Sequence, residues 1–252
     1  HPVPSEPSFH PAQDSMKIPR YTRCFIVVLL VSLFLCQPLL AAGMQQEAPA
    51  SEQQVETVAE FKVNAQTSDG KIVVDGVEVE YEAIAGTFTQ TDDEGKAQAN
   101  LSFIYYRVPD QPEASRPVTF VFNGGPGSSS VWLHIWMLGP RRIEFPDDAS
   151  MLKPPYRLVE NAYSLLDRTD LIFIDPVSTG FSRPVDQEKK SQFHGYREDI
   201  QSVGQFIHDW LSHFGRWESP KFLLGESYGG LRAAGLSNYL QSRYRIGLNG
   251  VV

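Results

Sequence analysis

The stretch that decides the fold is Phe222-Leu223-Leu224-Gly225-Glu226-Ser227-Tyr228-Gly229. An apolar run leads into a G-x-S-x-G pentapeptide, and an Ala/Leu-rich stretch, Leu231 to Leu240, follows it. That order of strand, tight turn and helix makes the central serine of the pentapeptide an exposed nucleophile. Small glycines let the backbone turn sharply enough to lift the hydroxyl clear of the sheet. The helix start leaves N–H groups aimed where negative charge would develop. In folds built this way the triad partners follow the serine, first Asp or Glu and then His. From Tyr228 to Val252 there is no Asp, Glu or His. The nucleophile is therefore expected without its base and orienting acid, and the chain as it stands is expected to be inactive.

The 252 residues are 42% hydrophobic and 21% charged, enough for one domain with a sizeable core. A formal net charge of −8 argues against a nucleic-acid partner, which would favour a basic surface. Lys17, Arg20 and Arg23 precede an apolar run from Cys24 to Leu40, and Ala41-Ala42-Gly43 follows. This reads as a secretory signal peptide over residues 16–43, with Met16 as its start. Gln37 and Pro38 interrupt the run, which barely reaches the roughly 20 residues of a spanning helix, so no stable membrane anchor is expected after cleavage. Residues 1–15 are read as a non-native upstream extension, and 44–60, rich in Gln, Glu and Ala, as a flexible linker. Both cysteines, Cys24 and Cys36, lie inside the signal, so the exported chain would rely on its core rather than on disulfides. The expected location is secreted or periplasmic.

Residues 61–252 carry the domain. Ile72-Val73-Val74, Asp75-Gly76 and Val77 to Tyr81 read as a hairpin with an Asp-Gly turn. Thr87-Phe88-Thr89 and Leu101 to Tyr106 flank a polar loop and read as a second hairpin. Three short runs, Val118–Phe122, Leu171–Asp175 and Phe222–Leu224, are apolar enough for strands buried on both faces. Ile200, Val203, Phe206, Ile207, Trp210, Leu211 and Phe214 fall on one face of a helix ended by Gly215 and Pro220. Strands alternating with helices predict a mainly parallel sheet behind an antiparallel lead-in. Ile246 to Val252 reads as the start of one more strand, and the domain is expected to be incomplete at its C-terminal side.

Directly after the strand Val118–Phe122 comes Asn123-Gly124-Gly125-Pro126-Gly127-Ser128-Ser129-Ser130. This glycine-rich turn is neither a dinucleotide nor a Walker sequence, and it has no lysine for phosphate. In α/β-hydrolases a loop at this place supplies one oxyanion N–H, and the residue after the nucleophile supplies the other. Together with Asp175-Pro176-Val177-Ser178-Thr179-Gly180-Phe181-Ser182 and Gly225 to Gly230, in this order, the chain resembles the serine carboxypeptidases from roughly Phe61 to Val252. The resemblance implies an α/β-hydrolase fold, a Ser-Asp-His triad built on Ser227, and an oxyanion hole from the N–H groups of Gly125 and Tyr228. It also implies that Asn123 and Glu226 hold the terminal carboxylate of a peptide substrate. Two close carboxylates cannot both stay ionised, so such a complex should form best in acid.

The pattern departs from the family in two places. Ser128 stands where cysteine is common. A second family glutamate aligns with Trp136 or Met137, neither of them acidic. An esterase or acyltransferase on the same scaffold, and a non-catalytic binding protein that lost its triad, are the alternatives. No metal site or cofactor is expected, since His134 and His194 have no partner at ligand spacing. His208 and His213 precede Ser227, the wrong order for the base. Trp132 and Trp136 are expected in the core, and Arg141-Arg142 in a solvated loop.

Overall fold

The computed structural model describes residues 63–112, 114–146, 148, 150 and 154–252. The expected signal segment, the linker and the upstream extension lie outside the described residues. The chain opens with β1 (Val63–Val74) and β2 (Val77–Thr91), paired antiparallel in full register. Their turn is Asp75-Gly76, with φ of 49° and 79°. Two consecutive positive φ values match the right-handed twist of the strands, and an Asp-Gly pair tolerates them. β2 runs for 15 residues, so Thr87–Thr89 is its far end and not a separate strand. β3 (Ala97–Arg107) returns antiparallel along it, with a register shift at Gln90/Thr91.

The apolar runs then form the buried centre. β4 (Val118–Phe122) and β7 (Asp170–Ile174) are buried at every residue. Between them Arg141–Ile143 (β5) and Leu158–Glu160 (β6) pair as a separate small sheet, and Arg183–Pro184 (β8) pairs with β3. β9 (Lys221–Gly225) and β10 (Gly250–Val251) complete the main sheet, in the order β1-β2-β3-β7-β4-β9-β10. β7, β4, β9 and β10 are parallel to their neighbours, and β3 meets β7 antiparallel. This is the α/β-hydrolase arrangement, a mostly parallel sheet with antiparallel N-terminal strands. Its crossovers are α1 (Tyr196–His213) and α2 (Tyr228–Tyr244).

α1 buries the face that its spacing marked. Trp210 is fully enclosed and meets Tyr105 and Phe120 edge-on at 4.8 and 5.3 Å between ring centroids. Phe206 stands edge-on to Phe88 at 5.5 Å. Gly215, at φ 66°, takes the left-handed conformation that ends the helix.

Two further expectations are corrected. Arg141 and Arg142 are in β5 rather than in a loop, because Arg142 pairs across to Val159. Trp132 and Trp136 are 48% and 40% exposed and stack edge-on against each other at 4.6 Å, not in the core. Trp132 precedes and Trp136 lies within Leu133–Leu138, which is wound as a π-helix with Leu133 as its buried residue. The two rings share one face, which is turned to solvent, while Leu133 is turned inward.

The N-terminal ends of the parallel strands are tied by one carboxylate. Asp170, 1% exposed, accepts from Arg116 Nε at 2.5 Å, Arg216 Nη1 at 2.6 Å and Tyr105 Oη at 3.3 Å. Arg216 also donates to the Arg116 carbonyl at 2.9 Å. Asp170→Asn keeps the shape and removes the charge, leaving two enclosed guanidinium groups under-compensated. The expected loss is on the order of 3–5 kcal/mol of unfolding free energy, read from the urea midpoint at neutral pH. A loss under about 1 kcal/mol would show that the three side chains are solvated in a way the geometry does not suggest.

Candidate active site

Ser227 stands between β9 and α2 with φ 58° and ψ −124°. A non-glycine residue in this sparsely populated region costs on the order of 1–3 kcal/mol and persists only where its surroundings fix it. Here they do. Glu226 N donates to the Phe122 carbonyl at 3.3 Å, Gly229 N to the Glu226 carbonyl at 2.8 Å, and Gly230 N to the Ser227 carbonyl at 3.0 Å. Ser227 is exposed, as is Glu226.

The glycine loop after β4 lies directly against this turn. A Cβ on Gly124 would come within 2.4 Å of Tyr228 N, 2.6 Å of Gly229 N and 2.7 Å of the Glu226 carbonyl oxygen. A Cβ on Gly229 would meet the Phe122 carbonyl oxygen at 2.6 Å, and one on Gly225 would meet the Gly229 carbonyl oxygen at 2.1 Å. The loop bearing Gly125 and the turn bearing Tyr228 therefore touch main chain to main chain. Gly125 itself has φ 108°.

Asn123 and Glu226 are brought together. Asn123 Nδ2 donates to Glu226 Oε2 at 3.1 Å, and Asn123 Oδ1 accepts from Leu133 N at 3.0 Å. The second contact fixes which end of the amide faces Glu226. Asn123 is 1% exposed, so the pair joins a buried amide to an exposed carboxyl group. Beside the elbow is a cleft of about 330 Å³ lined by Pro126, Gly127, Val177, Ser178, His194 and Tyr228. A larger groove, about 580 Å³, lies between the β2–β3 turn and the helices and is lined by none of these residues.

The motif Asp175 to Ser182 braces the loop from the other side. Asp175 Oδ1 accepts from Ser130 N at 2.9 Å, and Oδ2 from Ser102 Oγ at 3.0 Å. A Cβ on Gly180 would collide with that carboxylate.

The histidines are placed elsewhere. His194 Nε2 is 3.0 Å from Ser178 Oγ, His208 Nδ1 is 2.8 Å from Asp209 Oδ1, and His213 stands edge-on to Phe88 at 5.4 Å. His134 Nε2 is 2.7 Å from Tyr106 Oη. Among the described residues no histidine is bonded to Ser227, and no group of three or more His, Cys, Asp or Glu could hold a metal. Sequence reasoning missed Arg232 and Asp199, whose ion pair lies beneath the elbow at 2.9 Å. A signal was there: Arg232 shares the inward stripe of α2 with Gly229, Ala233, Leu236 and Leu240.

A strand–serine–helix elbow facing a glycine loop across a mostly parallel sheet defines an α/β-hydrolase. Within that class the chain belongs to the serine carboxypeptidase family, whose sequence profile matches residues 78–250. Serine carboxypeptidase-like 37 of Arabidopsis thaliana is 30% identical over 135 residues, covering 51% of this chain and 26% of that protein. Serine-type carboxypeptidase F of Aspergillus niger is 30% identical over 142 residues, covering 55% of this chain and 23% of that protein. The match thus spans about a quarter of the length of these curated relatives. Among solved structures, the rice cell wall degrading esterase LipA from Xanthomonas oryzae is similar with a TM-score of 0.41 and 13% identity, over 75% of this chain and 47% of that one. Among the described residues no helix is long and apolar enough to cross a membrane.

Two measurements test the packing of the site. Gly124→Ala drives a methyl group into three main-chain atoms, whereas Gly230→Ala meets only the Gly225 carbonyl oxygen at 3.9 Å, ordinary contact. Thermal unfolding should rank Gly124→Ala far below wild type and Gly230→Ala level with it or above, since alanine favours the helix by up to about 1 kcal/mol. Equal midpoints for the two variants would contradict the close approach. The second concerns His134, whose burial lowers it from 6.5 to about 4. The folded state prefers the neutral ring, so its stabilising effect is whole above pH 6.5 and is lost as pH falls through about 4. Unfolding free energy should drop across that window by on the order of 3 kcal/mol, and His134→Gln should flatten the drop. An unchanged slope in the variant would show that other groups cause the acid loss.

Proposed function

We propose that the whole protein is a serine-type carboxypeptidase, secreted or periplasmic, that releases C-terminal residues from peptides through an acyl-enzyme on Ser227. The observation that carries this is the hydrogen bond of Asn123 to Glu226 beside a serine held at positive φ. A serine on such an elbow is suited to attack, and an amide paired with an exposed carboxyl group beside it is suited to a free carboxylate.

In this reading Ser227 Oγ attacks the scissile carbonyl while its proton passes to a histidine, which lies C-terminal to the elbow in the order of this fold. The carbonyl oxygen takes the negative charge and is met by the N–H groups of Gly125 and Tyr228. The C–N bond then breaks, the leaving amine takes the proton, and water hydrolyses the Ser227 ester. Removing one such donor costs on the order of 10²–10³ in kcat, so the glycine loop would matter as much to rate as to folding.

Asn123 Nδ2 has one hydrogen for Glu226 and one left for a substrate oxygen. A terminal carboxylate placed there shares a proton with Glu226, so binding takes up a proton and weakens as pH rises. Met137 and Trp136, standing where the family resemblance implies a second glutamate, favour an esterase or acyltransferase as the second reading.

The deciding measurement is KM against pH for the free-acid and amidated forms of one peptide. KM for the free acid should rise with pH more than kcat falls, and Glu226→Gln should retain binding toward neutral pH. The amidated peptide should show neither effect. Parallel profiles for the two peptides would sink carboxylate recognition and leave the esterase or acyltransferase reading ahead.

A further inference from the structure

The reading above leaves unused the charge pair buried under the elbow. Arg232, 1% exposed, reaches three elements at once. Its Nε donates to Asp199 Oδ2 on α1 at 2.9 Å, and its Nη1 donates to the Asn123 carbonyl at the end of β4 at 2.7 Å. The guanidinium carbon lies 5.4 Å from the Phe122 ring centroid and 5.2 Å from that of Tyr228. Burial, and next the Asp199 carboxylate, raise the Tyr228 hydroxyl above its ordinary range.

Such a pair is a poor source of stability, because enclosing both charges costs about as much as their attraction returns, and an apolar replacement is often neutral or better. What the arrangement supplies is position. The Asn123 carbonyl belongs to the peptide unit before Gly124, and holding its oxygen fixes the rotation of that unit. Without this tether, Gly124 and Gly125 have no side chains to limit their own rotation. On the other side, the Arg232 guanidinium, itself held by Asp199, lies against the ring of Tyr228, the residue whose backbone N packs against Gly124.

We propose that Arg232 and Asp199 are positioning residues, one ion pair that holds the Gly125 amide through the Asn123 carbonyl and the Tyr228 amide through its side chain. Neither is bonded to Ser227. The role rests on the hydrolase reading above, with those two amides as the oxyanion donors.

The test compares an oxygen ester with the thionoester of the same acyl group, using the full-length protein. Sulfur is a weak acceptor, so the thionoester draws little on the two amides. Wild type should be labelled at Ser227 by a fluorophosphonate and should turn over the oxygen ester faster. Arg232→Lys keeps the charge but loses the fork, and Asp199→Asn keeps the shape but loses the charge. In either, kcat for the oxygen ester should fall roughly 10- to 100-fold with KM nearly unchanged. The thionoester should fall far less, so the ratio of the two rates drops about 10-fold or more. Tyr228→Phe, which deletes a single hydroxyl and spares the ion pair, should lower the ratio by a smaller factor. A variant that merely unfolds in part lowers both substrates alike and leaves the ratio where it was. A ratio equal to wild type in every soluble variant overturns the proposal while the hydrolase reading stands. Failure of the wild type to label at Ser227 is a different result, and it removes the hydrolase reading together with this role.

Discussion

Everything in the candidate site depends on two loops meeting main chain to main chain. The turn after β4 and the turn after β9 approach so closely that a single added carbon on Gly124 would collide with Tyr228 N at 2.4 Å. Glycine is the one residue that permits this, and each costs on the order of 0.5–1 kcal/mol in extra chain entropy. The contact also explains how Ser227 stays at positive φ. Its neighbours on both sides are bonded into the turn and to β4, so relaxing the serine would separate the loops. Strain at the serine and contact at the glycines are one constraint seen from two ends.

The buried charges divide along the same axis. Asp170 gathers Arg116 and Arg216 at the N-terminal ends of β4, β7 and β9, and Asp199 with Arg232 sits at the C-terminal ends. Between them the interior is apolar and aromatic, with Phe120, Tyr105, Phe206 and Trp210 enclosed. Burying such side chains contributes roughly 1.5–3 kcal/mol each and holds the sheet against α1. The ion pairs add direction rather than net energy. At the Asp170 end they bind strands to one another. At the Asp199 end they bind a helix to a loop whose conformation chemistry would depend on.

Much of this was legible because it follows local rules. The Asp75-Gly76 turn, the periodicity of α1 and the three apolar strands each state their structure within a few residues, and the elbow with its glycine loop stated the fold. Contacts at long sequence separation were not legible. Nothing near Arg232 in sequence names Asp199, 33 residues away, or the Asn123 carbonyl, 109 away. Trp132 and Trp136 misled for a related reason. Spacing of i and i+4 marks a shared face, as their stacked rings show, but not whether that face is turned inward or to solvent. Arg141 and Arg142 read as loop because a three-residue strand carries too short a pattern, and its partner β6 lies 17 residues on, from Arg142 to Val159. Roles for Ser227, Gly125, Tyr228, Asn123 and Glu226 came from motif order and resemblance, and the structure adds their distances rather than their chemistry.

Those distances narrow what a carboxylate grip could be. Asn123 is enclosed and its Oδ1 accepts from Leu133 N, so in the proposed grip Nδ2 would be the end that donates to a carboxylate. Glu226 is exposed and has Asn123 as its partner. In the aligned place of a second glutamate stand Trp136 and Met137, 40% and 56% exposed. A grip made of one amide hydrogen and one carboxyl group has a single proton to share, and losing that proton leaves two like charges with one donor between them. Discrimination for a free terminus would then rest on the protonation of one pair. With a second acid a proton could be exchanged within the protein. With one, the proposed grip would have the ligand and Glu226 share it, and the pH dependence of binding would belong to the complex rather than to either group alone.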